Sequence, residues 1–305
     1  MVLISGLPIV TITVYRLAST GKLFIATGIM RLAEEGKLIL DDPVSKYLAG
    51  TPDTWQKITV RNLLSHTSGV AKEAPGYDDF KIQNDADVIK TAYLQPLLFP
   101  PGEKAAYSNL GYFILGEIIS KASGKPWSEY LTERIFKPLQ MNATRTTSMA
   151  DIVPNRASGY IINGVKLENV QIPLALRPSG AFLSNVVDLA KFDAGLYTER
   201  IIKKSSLEQM WQPVKETDTG EGRVKGSSFG FGWVVVRVNA HRAVLKSGSN
   251  TGFRATFVRF VDDNLTVVIL ANGERVRQTP LAFEVASFYI RDLAYKDAQA
   301  SGTSQ

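Results

Sequence analysis

Ser19 and Lys22 stand three residues apart, a spacing that on a helix brings both side chains to one face within reach of each other. That geometry can make a nucleophile. Two further groups of residues share this promise. Tyr107-Ser108-Asn109 contains the single Tyr-x-Asn of the chain, and Lys246-Ser247-Gly248 is its single Lys-[Ser/Thr]-Gly. Each by itself is a weak pattern. The first opens an apolar helical stretch, the second follows a Pro100-Pro101-Gly102 breaker, and the third closes a strand-like run beside a glycine-containing turn. All three fall where chemistry could use them, and the set is far more specific than its parts.

The elements that must position them can be read from periodicity. In residues 17–36 the apolar Leu23, Phe24, Ala26, Ile29, Met30, Leu32 and Ala33 recur with helical spacing and Gly36 follows as a stop, which predicts a largely buried helix with Ser19 in its first turn. Asp42 followed by Pro43 predicts the N-cap of a short helix, and Thr59 the cap of another over residues 60–65, which His66-Thr-Ser-Gly69 ends in a tight turn. Residues 71–104 are polar and turn-rich. Helices are predicted over 110–122, 126–136, 185–197, 205–211 and 280–293, and strands over 231–238, 242–247, 254–261 and 265–271. Residues 140–180 read as irregular, and 294–305 as a fraying end. The β-branched alternation of residues 10–15 predicts one more strand, paired with the C-terminal sheet because a lone strand is not stable. The expected fold class is thus α/β (α+β). An antiparallel sheet flanked by helices, from residues 1–36 and 225–305, forms a discontinuous domain, residues 37–224 form a helical domain, and the active site lies between them.

Composition narrows the chemistry. The 305 residues contain 45% hydrophobic and 21% charged residues, the profile of a folded globular chain. With no cysteine, thiolate catalysis, disulfides and cysteine-bound metals are excluded; His66 and His241 are the only imidazoles, so a histidine-rich metal site is excluded too. The net charge of +6 is scattered among acids rather than gathered into basic runs, which argues against nucleic acid. No run of about 18 apolar residues predicts a membrane span. Residues 1–14 lack the basic n-region and small-residue cleavage site of a signal peptide, which gives a cytoplasmic location as the expectation.

On these motifs the chain resembles the serine β-lactamase and penicillin-binding-protein superfamily, in the class C β-lactamase branch that also holds family VIII carboxylesterases and D-aminopeptidases. Tyr107-Ser108-Asn109 fits the class C form of the second motif of that superfamily. Further matches are Leu63-Leu-Ser-His-Thr-Ser-Gly69, Phe136-Lys-Pro-Leu139, Ser179-Gly-Ala-Phe-Leu-Ser184, Phe229-Gly-Phe-Gly-Trp233 and Leu270-Ala-Asn272. They cover roughly residues 15–290.

The resemblance implies a β-lactamase-like fold and acyl transfer through a covalent ester on Ser19. Lys22 and Tyr107 both qualify as the base: burial and the cation of Lys246 would disfavour a charged Lys22, and two nearby ammonium groups would favour a Tyr107 phenolate. Asn109 would orient the substrate amide or Lys22. The backbone N–H groups of Ser19 and Ser249 would hold the oxyanion, and Lys246 and Ser247, with Gly248 beside them, would bind a substrate carboxylate. The substrate is then a small molecule or peptide, as a β-lactam, an ester or a D-alanyl peptide, with no cofactor and no metal. The resemblance also implies an N-terminal helix and two strands ahead of Ser19, where this sequence has eighteen residues. One helix and one strand are expected to be missing, leaving a shortened N-terminal part and an unprotected sheet edge. A disabled, β-lactamase-like binding or scaffold protein is the alternative function. His66 is expected to be structural. Gly226-Ser-Ser-Phe-Gly230 matches Gly-x-Ser-x-Gly, but a strand follows it where that motif needs a helix, so Ser228 is not expected to be a nucleophile.

Overall fold

The computed structural model describes residues 10–78, 80–146, 151–170, 177–216 and 226–293. Its strands are β1 (Tyr15–Arg16), β2 (Arg145–Thr146), β3 (Tyr160–Asn163), β4 (Lys166–Asn169), β5 (Phe182–Ser184), β6 (Lys215–Glu216), β7 (Ser228–Phe229), β8 (Val234–Val238), β9 (His241–Asn250), β10 (Phe253–Phe260) and β11 (Leu265–Ala271). The α-helices are α1 (Lys22–Glu34), α2 (Val60–Leu64), α3 (Asp85–Thr91), α4 (Asn109–Ser123), α5 (Trp127–Leu131), α6 (Val186–Tyr197), α7 (Lys204–Met210) and α8 (Gln278–Ser287). β6 to β11 form one antiparallel sheet in the order β11-β10-β9-β8-β7-β6, a meander of hairpins. Mixed α/β architecture with an antiparallel sheet flanked by helices is as the sequence predicts.

Two apolar cores hold the layers. α1 is buried nearly all round, as a helix apolar on most of its faces must be. Phe24 on it meets Phe136, Phe182 and Phe192 edge-on at 5.0, 5.2 and 5.0 Å between ring centroids. Gly28 lets α5 approach, since a Cβ there would lie 2.5 Å from Leu131 Cδ2. The opposite face of the sheet packs on α8 through Val258, Phe260 and Val267 against Ala282, Phe283 and Ala286.

The first strand departs from expectation. Residues 10–13 turn, Val14 makes a single bridge to Arg156, and pairing begins only at Tyr15. β1 then pairs with β5, not with the C-terminal sheet, and β2 joins the other side of β5 in a small three-stranded sheet. Alternation marks a strand without naming its partner, and here the chain returning at Phe182 to Ser184 supplies it. Residues 1–9, 79, 147–150, 171–176, 217–225 and 294–305 lie outside the described residues. The stretch read as irregular holds β2 and the hairpin β3–β4, whose β4 is exposed throughout and so carries no burial pattern to read. Asp42 is not the N-cap of the next turn: its carboxylate accepts from the Ile39 N–H, Lys46 and Tyr47, and Pro43 takes the cap position of Val44–Lys46. Thr59 does cap α2, in a reciprocal pair with Asn62.

Candidate active site

Ser19 lies in a 3₁₀ turn, Ala18–Gly21, that runs straight into α1, and Lys22 is the first α1 residue. Ala18 bends the chain into this turn with φ +47°, a left-handed conformation that costs a non-glycine residue about 1–2 kcal/mol. Phe182 on β5 and Gly248 on β9 press on the turn from two sides: a Cβ at Gly21 would lie 2.2 Å from Phe182, and one at Gly248 2.1 Å from the Leu17 carbonyl oxygen. The backbone of β9 therefore reaches the Ser19 turn only because residue 248 has no side chain. The Thr20 hydroxyl donates to the Lys246 carbonyl at 3.4 Å along the same seam.

The Lys22 ammonium is fully buried and donates to Ser19 Oγ at 3.2 Å, Asn109 Oδ1 at 2.6 Å and the Ser179 carbonyl at 2.8 Å. Tyr107 Oη lies 2.8 Å from Ser19 Oγ on the other side. The loop that carries Tyr107 is pinned by its neighbour: Ser108 caps α4 by accepting from the Gly111 N–H at 2.9 Å, while its hydroxyl donates to the Ala71 carbonyl at 2.7 Å. The Ser108 N–H donates to Nδ1 of His66 at 3.1 Å. His66 is buried between Tyr107 and Phe229, each 4.7 Å away ring to ring. Burial first, then the charges of Lys246 and Lys22, push its pKa well below the ordinary histidine value, so it sits neutral as a structural acceptor.

Lys246 is buried to 1% exposure with Nζ 4.8 Å from the centre of the Tyr107 ring, and Lys22 Nζ lies 5.0 Å from that centre. β8 pairs β9 only as far as Leu245, so Lys246–Asn250 have β10 on one edge and the Ser19 turn near the other. Ser247 and Ser249 line an adjoining cleft of about 430 Å³ between β9, β10 and the start of α8, together with Arg254, Arg275 and Arg277.

Ser19, Lys22, Tyr107, Asn109 and Lys246, named from three distant motifs, thus converge on one point, with Gly248 packed against it and Ser247 and Ser249 at its side. Ser228 is part of β7, opposite Val235 and buried, with no strand-to-helix turn. Ser179 and Glu73 went unassigned from sequence. The first acts through a backbone carbonyl, which carries no residue signature, although the run of residues 179–184 was itself a family match. The second lies in the turn-rich stretch, where no pattern singles it out. Among the described residues no group of three His, Asp or Glu could hold a metal ion, and no helix is long and apolar enough to cross a membrane.

A half-buried serine flanked by a lysine and a tyrosine hydroxyl can transfer its proton and attack an acyl carbon. The chain is 32% identical over 289 residues to penicillin-binding protein 4* of Bacillus subtilis, covering 88% of this chain and 62% of that protein. It spans between 53% and 62% of the length of the curated relatives it matches. Among solved structures it superposes on the octameric penicillin-binding protein homologue of Pyrococcus abyssi with a TM-score of 0.83 and 28% identity, covering 93% of this chain and 67% of that one. D-amino acid amidase from Ochrobactrum anthropi, complexed with L-phenylalanine, gives a TM-score of 0.77 and 25% identity over 88% of this chain and 79% of that one. Residues 4–287 match the family described as Beta-lactamase. With the Ser19, Tyr107 and Lys246 motifs meeting in one site on this fold, the chain belongs to the β-lactamase family of serine β-lactamases and penicillin-binding proteins.

Proposed function

We propose that the protein is a serine hydrolase that works through an acyl-enzyme on Ser19 and accepts an ester or amide bearing a carboxylate. The observation that carries this reading is the position of Ser19 Oγ, between Tyr107 Oη at 2.8 Å and Lys22 Nζ at 3.2 Å. Lys22 Nζ lies within hydrogen-bonding distance of three oxygens, and two of them, Asn109 Oδ1 and the Ser179 carbonyl, accept from it. Tyr107, 2.8 Å from Ser19 Oγ with Lys22 and Lys246 Nζ 5.0 and 4.8 Å from its ring centre, is taken as the base. The same two cations act on His66 and disfavour its charged form.

Ser19 Oγ forms a bond to the carbonyl carbon as its proton passes to Tyr107 Oη. The carbonyl oxygen becomes an oxyanion, held by the backbone N–H groups of Ser19 and Ser249. Losing one such donor costs about 10² to 10³ in rate. The intermediate collapses, the bond to the leaving group breaks, and Tyr107 returns the proton to the departing atom. Water then cleaves the ester on Ser19 by the same route in reverse, releasing the acid. Lys246, with Ser247 beside it, supports recognition of a carboxylate. The penicillin-binding and D-amino acid amidase relatives support an amide as the bond broken.

Intact-protein mass spectrometry after exposure to a penicillin, a p-nitrophenyl ester and an acyl-D-alanyl-D-alanine peptide tests the reading. An adduct on Ser19 that is absent from Ser19→Ala is expected, and the probe that turns over identifies the substrate class. A folded protein that forms no adduct with any of the three, nor with a fluorophosphonate, overturns the reading and leaves a binding or scaffold role.

A further inference from the structure

Glu73 lies outside the three motifs, yet residues 71–73 cradle the start of α4. The Ala71 carbonyl accepts from the Ser108 hydroxyl, and the Lys72 carbonyl accepts from the N–H groups of Asn109 and Leu110 at 2.9 and 3.1 Å. The Glu73 carboxylate completes the cradle on the side chain: Oε1 accepts from Asn109 Nδ2 at 2.5 Å. Its other oxygen pairs with Arg177 at 3.3 Å, and the Arg177 guanidinium lies 4.9 Å from the centre of the Tyr77 ring. On the far side of the same amide, Oδ1 accepts from Lys22 Nζ at 2.6 Å.

A carboxylate can only accept hydrogen bonds and an ammonium can only donate them. Between the two, the Asn109 amide has one rotation that satisfies both. We infer that Glu73 is a positioning residue: it fixes the Asn109 amide with its oxygen toward Lys22, and so holds Lys22 Nζ at the nucleophile. Turned over about Cβ–Cγ, Asn109 would aim its NH₂ group at the ammonium, and one Lys22 N–H would lose its acceptor. Arg177 anchors Glu73 from the segment that also supplies the Ser179 carbonyl to Lys22. The inference rests on Ser19 being the acylated nucleophile.

The test is the rate at which a fluorophosphonate modifies Ser19, with the melting temperature of each variant measured alongside. Glu73→Gln puts a donor where only an acceptor stood and permits the flipped amide, so the rate should fall about tenfold, the size of one hydrogen bond to a charged group. In Asn109→Asp the sign should reverse. There two carboxylates oppose each other, and adding Glu73→Gln lets the new carboxamide at 73 donate to the new carboxylate at 109, which still accepts from Lys22; the double variant should react faster than Asn109→Asp alone. In Asn109→Ala, with no amide to orient, adding Glu73→Gln should change the rate by less than about twofold. A Glu73→Gln protein that reacts at the wild-type rate, or that slows equally in every background, overturns the positioning role and leaves the Ser19 reading intact. A wild-type protein that is not modified overturns both.

Discussion

Two parts of this molecule bury a long cation, and they treat its charge in opposite ways. Arg259 on β10, 1% exposed, pairs with the Asp193 carboxylate of α6 and stacks 3.4 Å from the centre of the Tyr197 ring. Thr266 on β11 donates to the same Asp193 oxygen at 2.9 Å. That arrangement is a clamp between helix and sheet, with the charge neutralised where it stands. Lys22 is held instead by a serine hydroxyl, an amide oxygen and a backbone carbonyl, and Lys246 lies over a phenol ring. Hydrogen bonds to neutral oxygens satisfy the donors without cancelling the charge, and after burial itself the two cations add to the depression of the His66 pKa. Burying such charges costs stability, and sites that do chemistry tolerate that cost.

Lys22→Met gives the largest expected effect. Fluorophosphonate labelling of Ser19 should fall by about 10³ or more, while the melting temperature holds or rises because methionine fills the space without a buried charge. Labelling that survives, or a folding defect that accounts for its loss, would erase the contrast between the two cations. Asp193→Ala should act the other way, lowering stability by about 3–5 kcal/mol in urea unfolding, since it strands the Arg259 charge. The labelling rate of the folded fraction should stay at the wild-type value.

Asp85 sharpens the comparison from the anionic side. Burial lifts its pKa to about 6, opposed by the Trp127 indole N–H and aided by the charge of Glu117. Its folded pKa lies above the unfolded value of 3.8, so the unfolded chain releases the proton first and stability contributed by this group is lost as pH rises from about 4 to 6. Asp85→Asn should therefore raise stability at pH 7 by about 1–2 kcal/mol, discounted for the partial exposure of the carboxyl. Below pH 4 the gain should vanish. A gain that is equal at pH 4 and pH 7 would mean that charge burial is not the cause.

Much of this was legible in the residues themselves. α1 declared itself by a broad apolar face, α4 by helical apolar spacing from Leu110 to Ala122 with Gly124 beyond its end, and β8 to β11 by β-branched runs between turns. Those signals are local, and each needs only a few neighbouring side chains to be expressed. β3 and β4 were not legible, because β4 is exposed at every residue and β3 buries only Tyr160, which leaves no alternation of buried and exposed positions to read. The helix predicted over 126–136 is real to Leu131 and then widens into a π turn over Thr132–Phe136, in which Ile135 and Phe136 are buried.

The identity of the site residues was written in the chain: a serine and lysine one turn apart, a tyrosine before a helix start, a lysine ahead of a glycine. Their distances were not. Tyr107 meets Ser19 across 88 residues and Lys22 meets Asn109 across 87, and such encounters are decided by how α1, α4 and β9 pack. The same packing chose the partner of β1, which alternation left open, and brought Glu73 and the Ser179 carbonyl to Asn109 and Lys22. Side-chain type and spacing specify which groups can react and which segments fold locally. Only the tertiary structure brings those groups to bonding distance, because hydrogen bonds and burial act through space between segments that local patterns cannot relate.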